Sequence, residues 1–248
     1  MKIRIVVLLL PLVFSLLSCD EEGDLIDIFD QTPLTEEEVA AGLKQALVVG
    51  TDTAVSIVSR VDGYYGDPLI KILLPPEADI IMDNIDDPLL VAIGISGLVE
   101  DAILAMNRAA EDAANDAIPI FADAITSMTI EDAFNILNGA DTAATHYLRE
   151  KTYMNLKNAF QPRISASLEK PLAGGISADE AWSALTTSYN DVAQFVPGWS
   201  EVNTDLDDHV TRKALDGLFV KVADEEIDIR NDPIARVTDL LKRVFGQN

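Results

Sequence analysis

From residue 35 onward the apolar positions recur every three or four residues. No stretch alternates apolar with polar as a half-buried strand would, so the pattern predicts helices and no sheet. Thr35-Glu36-Glu37-Glu38 is a capping box, in which the threonine hydroxyl and a glutamate three residues on each satisfy a free amide. Val39, Leu43, Ala46, Leu47, Gly50, Ala54 and Val58 follow it with a 3.6-residue period. Asp62-Gly63-Tyr64-Tyr65-Gly66-Asp67-Pro68 reads as a loop, residues 70–74 as a short extended piece ended by Pro75-Pro76, and residues 77–85 as a weak helix. Asp87-Pro88 opens what reads as the longest helical stretch, running to Ala117 along an alanine-rich seam and interrupted at Pro119. Within it residues 89–99, the most apolar run after the first twenty residues, read as a buried helix.

Further signals follow the same logic. Thr129-Ile130-Glu131-Asp132 starts a helix closed by Asn138-Gly139, and residues 141–160 form another that Pro162 restarts. Residues 170–176 are a loop, and Ser177-Ala178-Asp179-Glu180 is a second capping box for a helix ended by Pro197-Gly198. Thr204 caps a long helix over 205–230, Asn231-Asp232-Pro233 breaks it, and residues 234–245 form the last. The expectation is an all-α fold, a single compact bundle of about eight helices over residues 35–248, with no internal repeat.

The first twenty residues follow a different pattern. Lys2 and Arg4 precede an apolar run, residues 5–17, that is too short for a spanning helix and ends at Leu16-Leu17-Ser18-Cys19. This is the layout of a bacterial lipoprotein signal, predicting a signal peptide over 1–18, lipidation of Cys19 and an acidic tether over 19–34. Such lipoproteins carry two or three acyl chains, and two suffice for stable anchoring. The expected location is therefore the bacterial cell envelope, with the protein held to a membrane through Cys19, facing the periplasm or the cell surface. Cys19 is the single cysteine, so no intramolecular disulfide is expected.

Charge narrows the partners. The chain carries 42 acidic and 18 basic residues, net −24. Loss of residues 1–18 removes Lys2 and Arg4 and takes the net charge to −26. Such a surface repels phosphate backbones and anionic headgroups, which excludes nucleic acid as a partner and leaves membrane attachment to the lipid.

Several blocks together resemble a known family. They are Leu43-Lys44-Gln45-Ala46-Leu47, Asp62-Gly63-Tyr64, Ile70-Lys71-Ile72-Leu73-Leu74-Pro75 and Met106-Asn107-Arg108-Ala109-Ala110-Glu111. Met128-Thr129-Ile130-Glu131-Asp132-Ala133, Ala144-Thr145-His146-Tyr147-Leu148 and Val210-Thr211-Arg212-Lys213-Ala214-Leu215-Asp216-Gly217-Leu218-Phe219 come next, and then Glu225-Glu226 through Ile229-Arg230, with Asn231, Pro233 and Arg236. They are similar to a family of bacterial envelope proteins catalogued only as a domain of unknown function. The resemblance implies one helical envelope domain and no particular activity.

Motifs for chemistry are missing from the sequence. A di-iron bundle needs Glu-x-x-His pairs, but Ala143 and Leu206 stand three residues before His146 and His209, so no metal site is expected. His146 is read as flanking a core face, and His209, beside Asp207 and Asp208, as solvated or ion-paired. Gly94-Ile95-Ser96-Gly97-Leu98 is not a nucleophile elbow, there is no phosphate loop, and the acidic clusters at 24–30 and 83–87 lack EF-hand spacing. No cofactor and no catalytic residue is expected. The remaining candidates are polar residues in the family-like blocks: Asn107 and Glu111, and Arg108 and Glu111, stand one turn apart, and Arg212 and Asp216, and Glu226 and Arg230, are spaced as i, i+4 pairs. One reading makes them ordinary ion pairs or a buried polar network that fixes helix register. The other has Asn107, Arg108, Glu111, Lys213, Asp216, Glu225 and Arg230 lining one pocket for a small polar ligand. Tyr64 and Tyr65 either form a contact surface or pack onto the bundle. The function expected is a membrane-anchored, non-enzymatic binding domain with an envelope protein partner; the alternative is a small-molecule-binding domain, or an enzyme of unrecognised type, built on that polar cluster.

Overall fold

The computed structural model describes residues 33–171, 177–203, 205–232, 235–236 and 238–245. The expected signal peptide, Cys19, the expected tether up to residue 32, residues 172–176 of the expected loop, Thr204, Pro233 and Ile234 lie outside the described residues. Among those described there are ten α-helices and no strand, as the periodicity predicts. The helices are α1 (Glu36–Ser59), α2 (Asp79–Asp83), α3 (Pro88–Ala92), α4 (Ile95–Ala113), α5 (Ala117–Ser127), α6 (Ile130–Leu137), α7 (Ala143–Leu168), α8 (Ala178–Ala193), α9 (Leu206–Asn231) and α10 (Asp239–Phe245).

Local chemistry fixes where helices start. Thr35, Thr129 and Ser177 each accept from the backbone amide three residues on, while Glu38, Asp132 and Glu180 reach back to the cap amide. Asp205 caps α9 by accepting from the Asp207 amide, so the cap falls one residue later than Thr204. α1, α4, α7 and α9 form the centre: α9 packs on α7 and α1, and α4 on α7 and α8. α4 buries Ala102, Ala105, Ala109, Ala110 and Ala113, small side chains that let neighbouring helices approach closely. α5 and α6 cover α1, and α10 lies across Gly42 of α1.

Three proline and glycine positions depart from expectation. The stretch from Pro88 is not one helix, because Gly94 adopts φ 74°, a left-handed conformation that glycine takes without a Cβ penalty, between α3 and α4. A 3-10 turn, Ala114–Asp116, then separates α4 from α5. Pro119 falls at the third position of α5, where an amide lacks an intrahelical acceptor anyway. Pro162 stays inside the continuous 26-residue α7, on its solvent side. The break at Gly94 also undoes the reading of residues 89–99 as a buried helix. Leu90, Ile95 and Val99 are buried, whereas Leu89 and Val91 are 53% and 56% exposed and Ile93 is exposed too.

Candidate functional site

The candidate residues are built into the seat of a strap. Residues 60–75 leave α1 and cross α4 and α9 without forming a ladder. Asp62 turns the chain at φ 64°, a region Asp tolerates better than most residues. Tyr64 is fully buried, and its hydroxyl donates to the Ala214 carbonyl at 2.7 Å. Gly217 is required there, since a Cβ would stand 2.7 Å from Tyr64 Cε1 and 3.0 Å from Ile70 Cβ. Burial, and then the nearby Glu111 carboxylate, push the Tyr64 hydroxyl far above its ordinary pKa.

α4 supplies the polar anchors. Glu111, 4% exposed, accepts from the Tyr64 and Tyr65 amides at 3.2 and 3.3 Å through Oε1, and from Arg108 at 2.7 Å through Oε2. Arg108 donates its other terminal nitrogen to Asp62 at 2.7 Å. Asn107 is fully buried and treats Ile72 as a strand neighbour would. Its Oδ1 accepts from the Ile72 amide at 2.9 Å, and its Nδ2 donates to the Ile72 carbonyl at 2.8 Å and to Ile103 at 2.7 Å. From α9, Lys221 pairs with Asp67 at 2.7 Å. Lys71 stands 3.9 Å above the Tyr65 ring.

His209 closes the strap and corrects the expectation of a solvated residue. It is 5% exposed, with Nε2 3.0 Å from the Leu73 carbonyl. A carbonyl only accepts, so Nε2 carries the hydrogen. His146, read as flanking a core face, is exposed beside the buried Ala144 and Thr145. Desolvation lowers the His209 pKa, helped by the cations Lys213 and Arg212 and opposed by the Leu73 bond and Glu77. An unfolded histidine protonates near pH 6.5. The unfolded chain therefore binds more protons than the native one just below that pH, and stability falls as pH drops through the lowered native value. The urea midpoint should decline between about pH 7.5 and pH 5.5. His209→Gln, whose amide still donates to Leu73, should remove the histidine part of that slope; an unchanged slope would show that His209 does not titrate there.

A second polar centre lies at the α6–α7 corner. Glu226, 8% exposed, accepts from the Ala144 and Thr145 amides at 2.9 and 2.8 Å and from the Thr145 hydroxyl at 2.8 Å. It thereby caps α7 from another helix, since Thr142 makes no side-chain cap. Arg230 donates to Glu226 at 2.9 Å and to the Ile136 carbonyl at 2.9 Å, closing the end of α6. Arg236 donates to the Ile229 and Arg230 carbonyls at 3.0 and 2.7 Å, closing the end of α9. Beside Glu226, between α1, α9 and Phe245, is an apolar cavity of about 20 Å³, room for one water.

The seven candidates do not line one cavity. Asn107, Arg108 and Glu111 meet under the strap; Arg230 belongs to the second centre. Glu225, half-buried and raised in pKa by burial and by Asp228 and Asp224, packs its Cβ against Gly50. Lys213 is exposed. Asp216 pairs with Arg149 at 2.6 Å, not with Arg212, which takes Asp208 at 2.9 Å. The i, i+4 spacing permitted either partner, and α7 supplied one the local pattern does not contain. Of the expected pairs spaced one turn apart, Glu226–Arg230 and Arg108–Glu111 form.

The family model described as a protein of unknown function, DUF4197, matches residues 33–246. The chain belongs to that family. No curated protein and no solved structure matches it.

The fold of this DUF4197 chain brings together blocks that lie far apart in its sequence. Those around Asp62, Ile70, Met106 and Val210 meet at the strap, and those around Ala144 and Glu225 meet at the α6–α7 corner. Among the described residues no three His, Cys, Asp or Glu are grouped to hold a metal, and no helix is long and apolar enough to cross a membrane. One feature of the domain escaped sequence reading: an open cleft of about 670 Å³ between α5, α6 and α7, lined by Asp123, Ser127, Asp132, Tyr147, Lys151 and Asn155, among others. No sequence signal joins those residues, because they come from three helices.

Proposed function

We propose that this DUF4197 protein is a lipid-anchored domain of the bacterial cell envelope that acts by binding a protein or other envelope component, without chemistry of its own. The observation that carries the reading is the use made of the polar residues. Asn107, Arg108, Glu111, Glu226 and Arg230 were the best candidates for acid–base or ligand chemistry. Their polar atoms are occupied by backbone amides, backbone carbonyls and one another. A carboxylate held by three or more internal donors is a structural acceptor and a poor general base.

Recognition then falls to the surface. Leu89, Val91 and Ile93 are large apolar side chains exposed within five residues, and Leu69 and Leu73 are exposed on the strap; these are where partner contacts are expected. A tether of about 15 residues after Cys19 reaches at most about 50 Å, so the partner lies at the same membrane or just beside it. Cys19→Ser should move the protein from the membrane to the soluble fraction. Persistent membrane association would rule out the lipid as the sole anchor. Cross-linking in cells should then capture one partner over an unrelated anchored control, and Leu89→Glu with Val91→Glu should reduce that yield. Equal recovery with the control would defeat the binding reading.

A further inference from the structure

The cleft between α5, α6 and α7 carries Lys151 on its α7 wall, Asp123 on its α5 wall and Asp132 on α6. On α7, Tyr147, Lys151 and Asn155 follow at i, i+4 and i+8, a stripe about 12 Å long at 1.5 Å per residue. On α5, Ile120, Asp123, Ala124 and Ser127 form the facing stripe, and Thr152 and Asp132 complete the lining. The walls are fixed. Thr152 is buried with its hydroxyl donating to Leu148, Asp132 is held by the Thr129 amide and hydroxyl at 3.0 and 2.7 Å, and Lys44 of α1 donates to the Thr126 carbonyl at 3.0 Å.

The Lys151 ammonium has no carboxylate within 4.0 Å among the described residues, as is also true of Lys44, Lys71 and Lys213, and after the Thr129 hydrogen bonds its charge helps hold the Asp132 carboxyl below the usual range. The ammonium stands 5.6 Å from the centre of the Tyr147 ring. Asp123 and Asn155 likewise make no side-chain hydrogen bond to another described residue. A lysine with no carboxylate in contact, in a concave site that also holds the unbonded Asp123 and Asn155, leaves room for a ligand between them.

We propose that this cleft binds a short zwitterionic peptide, its ammonium end taken by Asp123 and its carboxylate end by Lys151 and Asn155. A molecule with both charges satisfies both walls at once, whereas a monovalent ion leaves one wall unpaired. A stripe of about 12 Å spans about three to four extended residues. Ile120 and Ala124 offer apolar surface to small side chains, and the Tyr147 hydroxyl, raised in pKa by burial and by Asp132 and Glu150, stays protonated as a donor. This goes beyond the tethered-binding reading and uses none of its surface.

Calorimetric titration of the purified chain tests it, with dialanine, trialanine and tetraalanine as probes. N-acetyl-trialanine amide, which lacks both charges, is the control. At least one free peptide should bind, and the blocked peptide should bind at least about tenfold more weakly. Lys151→Met and Asp123→Asn, both at exposed positions, should each weaken binding about tenfold with no change in melting temperature. Cys19→Ser should leave binding unchanged, which separates this site from the anchoring proposal. No binding of any free peptide up to about 10 mM, equal binding of the blocked one, or indifference to both substitutions would overturn it.

Discussion

Glu111→Ala should cost this domain about 3–4 kcal/mol, measured by urea denaturation at neutral pH. The substitution removes a buried acceptor shared by the Tyr64 and Tyr65 amides and Arg108. Two amides are left without a partner at the point where the strap enters the core, and Arg108 keeps only Asp62. Against a total stability of about 5–15 kcal/mol this is a large fraction, equivalent to roughly a 10 °C fall in melting temperature for a domain of this size. Glu111→Gln should cost less, because an amide oxygen still accepts from the strap, although Arg108 then has Asp62 as its one counter-ion. Hydrogen exchange should place the damage: the amides of Tyr64, Tyr65 and Ile72 should lose protection first. A loss below about 1 kcal/mol would mean that Asn107, His209 and Lys221 hold the strap without Glu111.

Glu226→Ala should be at least as costly, about 3–5 kcal/mol, for a related reason. Glu226 caps α7 and neutralises Arg230, whose side chain is only 12% exposed. Truncation leaves the first turn of α7 without acceptors and a nearly buried guanidinium without its counter-ion. Arg230→Met in the same chain should recover part of the loss, since it removes the stranded charge. A double-mutant cycle should therefore report a coupling of about 1–3 kcal/mol. A coupling near zero would show that the two side chains act separately, with Arg230 serving only the Ile136 and Leu137 carbonyls.

Both residues were visible in the sequence as members of family-like blocks, and the reading of a buried polar network was available. Assigning Glu111 to the strap was not possible in advance. Its partners are 46 and 47 positions away, and those of Glu226 are 81 and 82 positions away. Local spacing reports only neighbours one turn apart, which is why Glu226–Arg230 could be predicted and Arg149–Asp216 could not. His209 was misread for the same cause: its sequence neighbours Asp207 and Asp208 suggest water or ion pairs, but the helix turns it inward under Leu73.

The sequence by itself determined the helical class, the caps at Thr35, Thr129 and Ser177, the strongly acidic balance and the lipoprotein-like layout before Cys19. These depend on interactions within a turn of helix or on composition, which need no fold to be read. The tertiary structure decided which breaks in the periodicity mattered: Gly94 could turn left-handed and split a helix, while Pro162 faced solvent and did not. It also decided which carboxylates became buried acceptors and which stayed in a cleft. That choice follows from where free backbone amides and lone cations come to rest, and only chain segments brought together from far apart can set it.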